Sequence, residues 1–350
     1  MPLLARTIAT PVAIEVSPGA VDALAPLLSD GRISQGGKVA IAVGPGRGEH
    51  VAGRVREALP DASILTVEGG NLDAALGLIV ELRQGFHDAV VGIGGGRTLD
   101  AAKYAASMVG LPFVSVPTTL THDGIASPVA SLDAHGRKAS FGVHVPIAVF
   151  VDIDEVRDAP DEHTRSGVGD VLSNLSAIAD WQLAGTHRGE PIDGLAVSLA
   201  RSAAEALIDR EPDRDAFLVT LAESLILSGI AMTVAGSSRP CSGACHEISH
   251  AMDSFLASPA LHGQQVALGA RVATFLRGDM DAFARLDAAL ERYGLPRTPK
   301  DLGLTVDELT RAVVEAPMTR PERFTVLEHL DLSPAHVREL MDAFVATVDG

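Results

Sequence analysis

Between Lys38 and Asp152 short apolar runs alternate with segments of helical spacing, and this alternation restricts the chain to an α/β fold built on a parallel sheet. The runs are Lys38–Gly44, Ser63–Val67, Asp88–Ile93, Leu111–Pro117 and Pro146–Asp152, with a shorter one at Thr10–Val16. Lys38–Gly44 is apolar from end to end after its first residue, the pattern of a strand covered on both faces. Helices are expected from Ser17, over His50–Leu59 and over Leu72–Gly85. Beyond Pro160 the pattern changes to long apolar-periodic segments, Val168–Leu183, Gly194–Ile208 and Phe217–Val234, rich in helix formers. The expectation is an α/β domain over 1–158 and an all-helical domain over 159–350, joined between Val156 and Asp161. Ser333 and Pro334 open a last helix, the serine as cap and the proline in its first turn.

A chain of 350 residues can bury two cores, and 47% hydrophobic content with only 4% aromatics excludes disorder. Lys and Arg number 28 against 45 Asp and Glu, a formal charge of −17 that opposes nucleic acid and anionic membranes. An anionic small-molecule substrate would need a local basic patch to overcome that field. Cys241 and Cys245 are too few for a disulfide framework, which points to a reducing cytoplasm. Their spacing beside His246 is read as two small buried residues, with metal ligation or redox sensing as the alternatives. Met1–Ala13 lacks the apolar core of a secretory signal. Phe217–Ala235 is the most membrane-like stretch, but Glu223, Ser224, Ser228 and Gly229 interrupt it, so a buried helix is expected rather than membrane insertion. Assembly into a homo-oligomer is left open.

Three stretches carry chemistry. Gly94, Gly95, Gly96, Arg97 and Thr98 leave the Asp88–Ile93 strand and enter a helix, where glycines let the backbone close on a pyrophosphate and free N–H groups meet it. Thr118, Thr119, Thr121 and Ser127 make the next exit loop hydroxyl-rich, suited to a nucleotide, and Asp123 within it could accept hydrogen bonds from a polyol; an ordinary Ser/Thr turn reads equally well. Arg137 and Lys138 follow Gly136 in a hairpin bend, a place for a substrate phosphate or simply a solvated turn. The third stretch begins at Ser242. His246 and His250 are four apart and share a helix face, and His262 follows a break at Ser258-Pro259. A divalent ion gripped by imidazoles needs a carboxylate from elsewhere, and Asp170 in Gly167-Val-Gly-Asp is the best candidate. His135, His144, His163, His187 and His329 have no evident partners.

Gly94-Gly-Gly, Pro117-Thr-Thr-Leu-Thr-His-Asp-Gly-Ile-Ala-Ser-Pro128, Gly167-Val-Gly-Asp-Val-Leu-Ser-Asn, Ser242-Gly-Ala-Cys-His-Glu-Ile-Ser-His250 and Leu261-His-Gly occur in this order, and the chain resembles the sn-glycerol-1-phosphate dehydrogenases of the iron-containing alcohol dehydrogenase and dehydroquinate synthase superfamily. The resemblance reaches Arg323-Phe-Thr-Val-Leu-Glu328, and its most specific piece is the Thr-His-Asp-Gly loop. It implies a Rossmann-like dinucleotide-binding domain, a helical domain, and metal and substrate in the cleft between them. By matching motifs, Asp170, His246 and His262 hold zinc, or Ni2+ or Fe2+ in its place. Asp170 and His250 then serve catalysis, with His250 facing the substrate and Asp123 its hydroxyls. Gly95, Gly96, Asp100, Thr118, Thr119 and Ser127 line the NAD or NADP site. The implied reaction is the reversible reduction of dihydroxyacetone phosphate to sn-glycerol 1-phosphate. A sugar-phosphate cyclase, a dehydrogenase of glycerol or another polyol, and a non-catalytic nucleotide- and metal-binding sensor are the competing readings. Cys245 departs from the family, standing where an acidic residue is common. The Gly44-Pro-Gly-Arg-Gly turn departs too, and there Arg47 is either a partner for a 2′-phosphate or a surface charge.

Overall fold

A computed structural model describes residues 8–28, 33–34, 38–134, 136–256 and 260–348, with backbone alone at Ala58, Arg137 and Arg214. The expected break at Ser258-Pro259 and His135 lie outside the described residues. The chain divides into two compact units, one of residues 1–119, 124–159 and 232–237, the other of 120–123, 160–231 and 238–350.

The first unit begins with β1 (Ala13–Ser17), a 3₁₀ turn over Ala20–Ala23 and α1 (Leu24–Leu28). There follow β2 (Val39–Val43), α2 (Arg47–Ala58), β3 (Ser63–Thr66), α3 (Leu72–Gly85), β4 (Ala89–Gly94), α4 (Gly96–Val109) and β5 (Phe113–Pro117). A hairpin of β6 (Val129–Ala134) and β7 (Arg137–Gly142) precedes β8 (Ala148–Asp152) and α5 (Ile153–Val156). Six strands form one parallel sheet in the order β1-β8-β5-β4-β2-β3. Every residue of β2, β4, β5 and β8 is buried, because helical crossovers cover both faces of a parallel sheet. Ile41, Val91, Val114 and Phe150 meet α2 residues Val51 and Val55 in one core. The hairpin is antiparallel and turns through Gly136, whose φ of 78° a side chain would strain.

The order also places a ligand crevice. From β2 the chain moves to β3 on one side, and from β4 it moves to β5 on the other, so the carboxyl ends of these two neighbours form a topological switch point, where open α/β sheets bind ligands. Gly44 and Gly94 stand at those two ends.

Helices build the second unit: α6 (Asp161–Arg188), α7 (Gly194–Ile208), α8 (Arg214–Ala235), α9 (Ala244–Phe255), α10 (His262–Arg277), α11 (Met280–Arg292), α12 (Val306–Glu315), α13 (Val326–Leu330) and α14 (Pro334–Ala346). The last residues of α8 belong to the first unit. Pro160, which cannot continue a preceding helix, caps α6, and Ser333 caps α14 by accepting from the His336 N–H. Ile248, Met252, Leu268, Val272, Leu309 and Phe344 meet in its core. Among the described residues one helix, α8, is long and apolar enough to cross a membrane, and two thirds of its apolar window is buried in the protein.

Candidate active site

The glycine turn of the first unit has the form an anion site requires. Gly95 is the N-cap of α4 and supplies no side chain to the first turn, so N–H groups at the helix start are open to a ligand. Thr98 is buried beneath the turn, where a Cβ on Gly44 would stand 2.1 Å from its hydroxyl and a Cβ on Gly94 would stand 2.9 Å from its own Cβ. Only glycine lets these two strand ends close on the threonine. Gly94 C=O accepts from Thr118 N–H, and the Thr119 hydroxyl lies 3.4 Å from where a Gly95 Cβ would be. Arg97 is exposed. Arg47 is held by Glu155 and Asp158 at 3.2 and 3.0 Å, so its charge is already answered by carboxylates.

Asp100 is buried, its Oδ2 accepting from Ser131 N–H and its Oδ1 3.2 Å from the Lys103 ammonium. Lys103, also buried, donates to the carbonyls of Gly124 and Ser127 and so pins the loop after β5. Composition and motif reading missed this lysine, although its place one turn after Asp100 is the spacing of a helical ion pair. The Ser127 hydroxyl donates to Val129 C=O. Lys138 is exposed on β7, opposite Asp133, and Arg137 pairs with Ala134 in the backbone register.

In the second unit three helices converge. Asp170 on α6, His246 on α9 and His262 at the start of α10 bring one ligand atom each within 4.8 Å of the others, the one such group of three among the described residues. Asp170 Oδ1 is 3.8 Å from both His246 Nε2 and His262 Nε2. Ligand atoms about 2.1 Å from a tetrahedral ion are about 3.4 Å apart, so the two aspartate–histidine spacings need to close by only about 0.4 Å to hold one. Thr121 belongs to this unit, its carbonyl accepting from Ser166. Asp123 donates its N–H to Asp170 Oδ2 at 2.8 Å, leaving Oδ1 toward the imidazoles.

The helices approach because glycines let them. A Cβ on Gly169 would stand 2.2 Å from Gly263 C=O, one on Gly263 would stand 1.7 Å from Ser166 C=O, and one on Gly269 would stand 2.5 Å from Cys245 C=O. The glycines beside Asp170 and His262 are thus the reason backbone from α6 and α10 can touch and carry both ligands to one point.

Protonation suits a cation. Burial pushes the Asp170 carboxyl up to about 6, while the nearby His122 charge and the Asp123 N–H pull it back. Burial, and then the charges of His250, Arg320 and Arg323, hold His246 well below the ordinary imidazole range, so it offers a neutral lone pair. Cys245 is pushed up to about 12 by burial and Cys241 is also raised well above the usual thiol range, so both remain thiols and neither offers the thiolate a metal requires. His122 went unremarked as a site residue, although it sits inside the Thr-His-Asp-Gly loop; its ring meets that of His262 edge-on at 6.5 Å.

Outer contacts set the tautomers. Gln265 Nε2 donates to Asp253 and to Ala260 C=O, which leaves Gln265 Oε1 to accept from Ser249. Ser249, having donated, accepts from His262 Nδ1 at 3.4 Å, and His262 Nε2 stands 3.8 Å from Asp170 Oδ1. Cys245 Sγ faces Ser173 C=O and takes the same role toward His246 Nδ1 at 3.3 Å. Ser249→Ala is therefore expected to weaken the binding of an added divalent ion by about tenfold or more, measured by competition with a chromophoric chelator. Unaltered affinity would place tautomer control elsewhere.

The iron-containing alcohol dehydrogenase family model matches residues 15–160. A glycerol-1-phosphate dehydrogenase of Archaeoglobus fulgidus is 38% identical over 78% of this chain and 81% of its own. One of Hyperthermus butylicus is 36% identical over 91% and 92%. The chain belongs to the glycerol-1-phosphate dehydrogenase family. It is, with that family, an oxidoreductase. The fold is shared more widely than the family: the crystal structure of a probable glycerol dehydrogenase from Sinorhizobium meliloti superposes with a TM-score of 0.77 over 98% of this chain and 99% of its own, at 22% identity. Against the family, the convergence of Asp170, His246 and His262 and the uncapped glycine turn occupy the motifs on which the resemblance rested.

Proposed function

We propose that the protein reduces dihydroxyacetone phosphate reversibly to sn-glycerol 1-phosphate, with NADH or NADPH as reductant and zinc, or Ni2+ or Fe2+ in its place, as the resident ion. The single observation that carries this reading is the meeting of one carboxylate and two imidazoles in a chain whose relatives are named glycerol-1-phosphate dehydrogenases. Asp170, His246 and His262 would hold the ion, which supplies Lewis acidity toward a ketone oxygen. The glycine turn at Gly94–Gly96 and the Thr118 and Thr119 segment would hold the dinucleotide, which supplies the hydride.

The remaining work belongs to side chains. Asp170 accepts the Asp123 N–H, and this bond sets the loop so that the Asp123 carboxylate can receive the substrate's free hydroxyl. His250, one turn beyond His246, passes a proton between that hydroxyl and solvent, so that the product oxygen is neutralised without a free hydronium ion. The reading places the enzyme in the cytoplasm.

Zinc-loaded enzyme incubated with NADH or NADPH and dihydroxyacetone phosphate is expected to oxidise the nicotinamide and to yield the sn-1 phosphate, identified by chiral analysis. Equal rates with unphosphorylated dihydroxyacetone would reassign it to polyols. No net oxidation with any ketone would remove it from the dehydrogenases.

A further inference from the structure

The formal charge of −17 works against any phosphate ester, so the site needs cations of its own. Three arginines of the second unit lie within or against the stretch from Ser238 to His250. Arg239 is 6% exposed, clamps Glu190 through two nitrogens and donates to Phe324 C=O. Arg323 is also buried and donates to Ser242 C=O and to the Ser238 hydroxyl. These two are built into the wall. Arg320 differs: it is half-buried at the end of the 3₁₀ turn Ala316–Thr319, which packs on α9, and its Nη2 lies 3.3 Å from His250 Nε2.

We propose that Arg320, seated against His250, is the residue that recognises the substrate's phosphate and so sets the preference for phosphorylated over plain ketones. The inference deepens the reading of the substrate as dihydroxyacetone phosphate and rests on it. A guanidinium fork matches two phosphate oxygens at once, which a lysine ammonium does not. Spacing agrees. His250 is one helical turn, about 5.4 Å, beyond the metal ligand His246, and its ring is 6.3 Å from that of His262. A phosphorus three bonds from the carbonyl carbon spans such a gap. Arg323 stands behind: burial first, and then the charges of Arg320 and Arg239, pull it down to about 10, against the opposing pull of Glu247 and Glu322. A dianion entering beside Arg320 relieves that repulsion. The hairpin cations Arg137 and Lys138 belong to the other unit, whereas Arg320 shares a unit with all three metal ligands.

The test compares zinc-loaded wild type with Arg320→Ala and Arg320→Lys. In the alanine variant the ratio of kcat/KM for dihydroxyacetone phosphate over dihydroxyacetone is expected to fall about 100-fold, mostly through KM, with lysine restoring part of it. Calorimetric titration with inorganic phosphate is expected to weaken by at least about tenfold, at zinc contents equal by emission spectroscopy. If both ketones lose activity together and phosphate binding holds, Arg320 merely positions His250 and the proposal is overturned. If wild type reduces neither ketone, the substrate reading fails by itself. The phosphate titration then decides alone: binding lost in Arg320→Ala sustains the oxyanion site, and no binding in wild type removes it.

Discussion

His246→Ala and Asp170→Asn are each expected to abolish metal binding and to lower ketone reduction by about 1,000-fold or more, the scale of several kcal/mol of lost Lewis acidity. Emission spectroscopy of dialysed protein is expected to find zinc in the wild type alone. The melting temperature carries a second, pH-dependent signature. Burial raises Asp170 from 3.8 to about 6 in the metal-free fold, so between those values the folded state holds a proton that the unfolded chain has lost. The metal-free protein is then most stable with that proton in place and loses stability as pH rises toward and through about 6. A cation takes over the proton's role above that range. Zinc should therefore raise the melting temperature strongly at pH 7.5 and little at pH 5, where it has a proton to displace. A protein that keeps full turnover after chelation, or gains the same stability from zinc at both pH values, would refute the assignment.

Local patterns were enough for most of the fold. The helices Leu72–Gly85 and Gly194–Ile208 begin and end where their periodicity does, since Asn71 and Asp193 cap them through their own side chains and signal the start in the sequence. The central strands read clearly because burial on both faces leaves an unbroken apolar run. What local pattern cannot carry is exchange between units. Residues 120–123 join the helical unit and 232–237 the α/β unit, each against the trend of its neighbours, because their partners lie far away in the chain. The site divides in the same way. His246 and His250 are four apart and visible as a pair, whereas Arg320 reaches His250 across 70 positions and has no motif of its own. Asp100 likewise meets a partner that no local motif announces, its carboxylate accepting from the Ser131 N–H 31 positions away.

Gly263→Ala and Gly77→Ala make the same chemical change and are expected to act in opposite directions. Gly77 lies in the middle of α3 on its exposed face, with nothing within 4 Å of the position a Cβ would take. Alanine there only narrows the freedom of the unfolded chain and favours the helix, so stability should rise by about 0.5–1 kcal/mol. At Gly263 the added carbon would stand 1.7 Å from the carbonyl of Ser166, a backbone atom that no rotamer change can move aside. Helices α6 and α10 must separate, and the Gly263 N–H bond to Ser166 Oγ at 3.1 Å goes with the contact. Overpacking of this kind costs about 1–3 kcal/mol or more. The functional loss should exceed the structural one, because Asp170 and His262 ride on the two helices being forced apart. A ligand set loses on the order of 100-fold in affinity when one member shifts by about 1 Å. Urea titration and chelator competition on the two variants measure both effects. A Gly263→Ala protein with native zinc affinity would mean that close helix contact is not what brings the ligands together.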